Sequence, residues 1–212
     1  MPQHQGIWKR TIAAHERVKS IFEPAGMYQG RHIIGRDTTI DGGVSIGAYE
    51  REAIVVDSQH HPAIRQLYEK TKSKTERHGQ ILKGLVLNAV YDVVLETFPA
   101  KDDGAVDQLV RSFGEIPRDT KIALDTFINE GTGVCRHLAL TAGVLLELFA
   151  RDRYIGGRAS VDRNEISAGA HEWARYVNTD RDIIIIDAAL GYCGPLHNPQ
   201  IPLPWPYYRP GE

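Results

Sequence analysis

The chain has 212 residues, 42% of them hydrophobic and 25% charged, with a formal net charge of −2. That balance excludes a general binder of nucleic acid or anionic membrane, which needs a basic excess. No stretch reaches the roughly 20 apolar residues of a membrane helix, and the N-terminus is charged where a secretory signal is apolar.

The first sixty residues mix glycines (Gly30, Gly35, Gly42, Gly43, Gly47) with β-branched runs such as His32-Ile33-Ile34 and Ile54-Val55-Val56. They predict short strands and turns, with TIDGGVSI (39–46) as a hairpin around Asp-Gly-Gly. In DSQHHP (57–62), Asp57, His60 and His61 read as a solvated helix start before Pro62 rather than a ligand set. From Thr75 to Phe98 the apolar residues Leu82, Leu85, Val86, Ala89, Val90, Val93, Val94 and Phe98 recur at three- and four-residue spacing. The spacing predicts one amphipathic helix, stopped by Pro99. A second helix is expected over 118–129, behind Pro117 and ending at Gly131, and a third over 134–150.

The period then changes to two. ASVDRN, AHEWARYV and IIIIDAAL read as successive strands, and the unbroken isoleucines 183–186 predict one covered on both faces. Helices followed by strands make the class α+β. Six prolines in 194–212 mark an extended tail whose Trp205, Tyr207 and Tyr208 need an apolar surface. It is expected to pack on the domain or on a second subunit, so a homodimer is a candidate assembly. Three regions result: 1–70, mixed strand and turn; 71–193, the core; 194–212, the tail.

The chemistry concentrates in the core. Cys135 opens the third helix, where the helix dipole favours a thiolate. If the strands around NTDRD (178–182) form a hairpin centred on Thr179, His171 lies opposite Asp187 on one face. That carboxylate can fix the imidazole tautomer and leave the other ring nitrogen as a base for the cysteine. The Cys135 backbone N–H is one oxyanion donor, and the Asn129 side-chain amide is a candidate second. The glycines of EGTG let the chain turn and let a substrate carbonyl approach. Arg136 and His137 either steer a carboxylate or cover a helix start, and Trp173 reads as core packing or substrate contact. A zinc site from Cys135, His137, His171 and Cys193 lacks the close ligand pairs such sites use, so no metal is expected.

With these residues in place, "GTGVCRHLALTAGVLLE", "GAHEWARYV" and "IIIIDAALGY" resemble the core of the transglutaminase-like superfamily of papain-type enzymes, over about 120–192. The resemblance implies a papain/transglutaminase-like core with Cys135 as nucleophile, His171 as general base and acid, and Asp187 as orienting residue. It implies a cysteine peptidase or amidase acting on a peptide or protein through a thioester, without a cofactor. Spacings of 36 residues from Cys135 to His171 and 16 onward to Asp187 are also similar to the vasohibin-like peptidase branch, which has serine where Asp187 stands. The alternatives are a transglutaminase, in which an amine replaces water, and a non-catalytic protein-binding module retaining the fold. Two cysteines and no signal segment make a reducing, cytoplasmic compartment and free thiols the expectation.

Overall fold

The computed structural model describes residues 26–47, 52–113, 121–167, 169–198, 200, 202–209 and 211–212. The N-terminal expectations for 1–25 and the start of the 118–129 helix lie outside these residues. The described chain is mixed α+β. In order it runs β1 (Met27–Tyr28), β2 (Arg31–His32), β3 (Val44–Ile46), β4 (Ala53–Val55), α1 (Pro62–Thr75), β5 (Glu76–Arg77), β6 (Gln80–Ile81) and α2 (Lys83–Thr97). Then follow α3 (Asp103–Arg111), β7 (Lys121–Ala123), α4 (Leu124–Glu130), α5 (Cys135–Arg151), β8 (Arg158–Ile166), β9 (Gly169–Val177), β10 (Ile183–Asp187) and β11 (Tyr192–Pro195).

The N-terminal part does form short strands, but TIDGGVSI is not a hairpin. Its Asp41-Gly42 turn leads into β3, which pairs antiparallel with β4, and β4 pairs in parallel with β7. A strand across the sheet, rather than the local turn, supplies the partner. Pro62 opens α1 at its first turn, and the buried Asp125 of α4 accepts from the first-turn N–H groups of Ala63 (2.7 Å) and Ile64 (3.3 Å), which have no partner within the helix. Beside it, His60 is solvated as expected, but Asp57 is buried. Burial opposes its charge, yet Arg31 and His60 outweigh this and hold the carboxyl down at about 2. The 70/71 boundary read from the sequence falls inside α1.

The helix expected over 75–98 begins only at Lys83. His78 (φ 53°) and Gly79 (φ 76°) are both left-handed and close a two-residue hairpin of β5 and β6 ahead of it. The 118–129 helix is likewise shorter: Lys121–Ala123 joins the three-stranded sheet as β7, and α4 starts at Leu124. Gly131 ends α4 in the left-handed conformation, φ 62°, as its sequence position predicts.

Strands β8 to β11 form an antiparallel sheet in the order β11-β10-β9-β8. Alternation assigns its two faces. Ala174, Tyr176, Ile184 and Ile186 join the main core with α5, while Trp173, Ile185, Tyr192 and Leu196 form a second cluster closed by Tyr207. The isoleucine strand is therefore covered on both faces, and the proline-rich segment is the second cover. Its first residues, Gly194 and Pro195, belong to β11 itself. The remainder is pinned by charge. Arg209 forks onto the buried Asp162 through Nε and Nη2 (2.7 Å each) and reaches Asp37 (2.9 Å), while Arg175 donates to Glu212. Of the two surfaces expected to receive the tail, the structure shows the domain's own sheet.

Candidate active site

The start of α5 is built by its neighbours. Val134 is the extended residue before the helix, and its N–H donates to Nδ1 of His137 (3.1 Å). That bond places the His137 proton on Nε2, which faces Glu52 Oε1 at 3.5 Å. Arg136 donates to the same Glu52 oxygen and to the Glu52 backbone carbonyl (3.0 Å). Burial favours a neutral Glu52, but His137 and Arg136 reverse this and bring its carboxyl to about 2. Burial holds His137 down at about 4, against the pull of Glu52, so it is neutral near pH 7. Gly133 is required by packing: a Cβ there would sit 2.8 Å from Phe98 Cδ1 and 2.9 Å from His137 Cβ. Its side is filled by these residues rather than open to a substrate carbonyl.

These contacts reassign two residues. Arg136 and His137 are 4% and 0% exposed and are spent on Glu52, so they clamp the helix start instead of meeting substrate. Trp173 is 1% exposed and packs edge-on against Tyr207, on the packing side of the two roles weighed for it. Asn129 is exposed at the end of α4, and no hydrogen bond among the described residues ties it to Cys135 or His171. The oxyanion role expected of its amide has no geometric support there. The Cys135 amide, at the first position of α5, has no intrahelical acceptor and faces the helix mouth.

Cys135, His171 and Asp187 do come together. His171 Nε2 meets Asp187 Oδ2 at 2.5 Å, and Cys135 lies near enough to the imidazole to bear on its titration. With Nε2 engaged, Nδ1 is the ring nitrogen left for the cysteine. Burial works against an imidazolium, but Asp187, which accepts the hydrogen bond of the ring N–H, and Cys135 beside the ring raise His171 to about 9. The register differs from the expected one. Ile183 pairs with Val177 and Ile186 with Ala174, so the hairpin is centred on Asp180 rather than Thr179. His171 and Asp187 are diagonal, not directly opposite. A slip of two residues preserves the face, where a slip of one would have separated them.

Four further residues shape the site. Tyr207 donates its hydroxyl to Asp187 Oδ2 (2.8 Å), and the Leu190 N–H donates to Oδ1 (3.0 Å). Asn164, the cross-strand partner of His171, donates to the Pro206 carbonyl (3.2 Å), and the Trp205 ring lies 5.0 Å from the imidazole. The tail's aromatic residues signalled that it docks; nothing in their spacing signalled that one of them would reach Asp187. Cys135 and Cys193 are free thiols. Burial and Asp92 push Cys193 up to about 11. Among the described residues no group of three or more His, Cys, Asp and Glu is arranged to hold a metal ion, and no helix is long and apolar enough to cross a membrane.

No family model matches the chain, and no curated protein or solved structure matches it significantly.

Proposed function

We propose that the protein is a cysteine hydrolase of the transglutaminase-like type, acting on an amide bond of a peptide or protein in a reducing, cytoplasmic compartment. The observation that carries this reading is the position of His171, held by Asp187 on Nε2 and close to Cys135 at the first turn of a helix. A cysteine in that setting passes its proton to the imidazole and attacks the carbonyl carbon. The oxyanion forms near the Cys135 N–H, one donor that needs no side chain. His171 then gives its proton to the leaving nitrogen as the C–N bond breaks, leaving a thioester on Cys135. Water, deprotonated by His171, attacks the thioester and restores the thiol. An amine in place of water would make the same residues a transglutaminase.

Thiol reactivity tests the reading without knowledge of the substrate. Iodoacetamide, followed by peptide mass spectrometry across pH, is expected to label Cys135 faster and at lower pH than Cys193, and His171→Ala is expected to erase the difference. Equal, slow labelling of both thiols would overturn the hydrolase and favour a binding module that keeps the fold. Substrates are then identified by trapping on Cys135 with an electrophilic peptide probe.

A further inference from the structure

The Asp187 carboxylate is buried, 1% exposed, and every group bonded to it is a donor. Oδ1 takes the Leu190 N–H, while Oδ2 takes both His171 Nε2–H and the Tyr207 hydroxyl. Tyr207 comes from the proline-rich tail, 20 residues after Asp187, and is itself fully buried. Its ring is stacked on Tyr192 (5.7 Å) and meets Trp173 edge-on (5.0 Å). Two residues farther on, Arg209 is locked to Asp162, Asp37 and Ser160. Prolines reduce the entropy lost in holding such a segment. The hydroxyl is therefore delivered by a stiff, doubly anchored strap to one oxygen of one carboxylate.

We infer that Tyr207 is a positioning residue for the His171–Asp187 pair, so that the tail is a structural part of the site. This rests on the hydrolase reading only for its catalytic consequence; the holding of Asp187 stands on geometry. A single acceptor oxygen shared by two donors has a defined direction, and the hydroxyl limits rotation of the carboxylate about its last bond. It also draws negative charge from the oxygen that faces the imidazole. Other titratable or charged groups near Asp187 are Tyr192, its partner on β11, Tyr91 from α2, and Lys101, whose Nζ donates to the adjacent Ala188 carbonyl (3.0 Å); Cys135 from α5 acts on the imidazole. Among the described residues, His171 and Tyr207 are the side chains that hydrogen-bond the carboxylate. Removing the hydroxyl leaves His171 as the only side chain among the described residues that compensates this buried charge, which strengthens the hold on the imidazolium.

The test is the titration of the His171 ring, followed by NMR in the full chain. Tyr207→Phe keeps both ring contacts and deletes only the hydroxyl. It is expected to move the His171 midpoint upward by about one pH unit, the scale set by a hydrogen bond to a charged group. Replacing Tyr207 by 3-fluorotyrosine, whose more acidic hydroxyl donates more strongly, is expected to move it downward and keeps the question open to test if the phenylalanine variant does not fold. A lowered melting temperature with the His171 midpoint unmoved in the folded variants would mean that Tyr207 only packs, and would overturn the inference. The same samples carry the iodoacetamide assay. Should Cys135 react no faster than Cys193 while the midpoint moves, the hydrolase reading fails and the role of Tyr207 stands. Should Cys135 be selectively reactive while the midpoint stays fixed, the inference alone fails.

Discussion

Replacing Asp187 with asparagine keeps the side chain's shape and exchanges one acceptor oxygen for an NH2 donor. The surroundings cannot accept that exchange, because all three partners donate. With its oxygen toward His171 and Tyr207, the amide turns its N–H groups on the Leu190 N–H. Turned the other way, it meets His171 with a donor, so Nε2 must become the acceptor and the ring proton moves to Nδ1, the nitrogen needed by Cys135. Either orientation leaves at least one buried donor without an acceptor, a cost of about 1–3 kcal/mol. The charge is lost as well. His171 stands at about 9 against an ordinary value of 6.5, a difference that corresponds to roughly 3 kcal/mol in favour of the imidazolium. Without the carboxylate, burial dominates and the midpoint is expected to fall to 6.5 or below. A raised histidine stabilises the folded state fully below its unfolded pKa, and this contribution disappears as pH rises through about 9. Urea unfolding at a series of pH values should therefore show stability decreasing between pH 6.5 and 9 in the wild type, and a flatter profile in Asp187→Asn. Turnover, once a substrate is trapped, should drop by about 10²–10⁴, on the scale of the equivalent change in a serine triad. Turnover within a few-fold of wild type in a folded variant, or an unmoved His171 titration, would refute the assignment of Asp187 as orienting residue.

Glu52→Gln removes the charge that compensates Arg136 beneath the nucleophile; breaking such a buried pair is expected to cost about 3–5 kcal/mol, read as a lower urea midpoint. Because folding depresses the Glu52 pKa to about 2, its contribution is present above pH 4.5 and lost as pH falls through 2, so the variant should also lose part of the wild type's acid-dependent unfolding. Removing residues 199–212 strips Arg209 from Asp162 and uncovers Trp173 and Ile185, and should lower the melting temperature and the selectivity of Cys135 alkylation together. An unchanged melting temperature and unchanged reactivity would show that the tail neither stabilises the sheet nor supports the site.

Local physics made much of this legible from residues alone. The α5 helix follows from its apolar spacing and the glycines before it, and its start at Cys135 from the extended Val134. Period-two alternation marked β8, β9 and β10, and parity put His171 and Asp187 on one face even though the hairpin centre was misplaced from Asp180 to Thr179. Parity survives a two-residue error, which is why the pair could be read while its register could not. Where the sequence reading failed, the deciding partner was distant along the chain. Lys121–Ala123 is a strand because β4 lies beside it, and Arg136 and His137 turn inward because Glu52, more than 80 residues earlier, waits there. The hydroxyl of Tyr207 on Asp187 belongs to the same class. Short-range periodicity records which face of an element is buried. Which residue meets that face is settled by packing between segments that the sequence keeps apart, and only the tertiary structure holds that information.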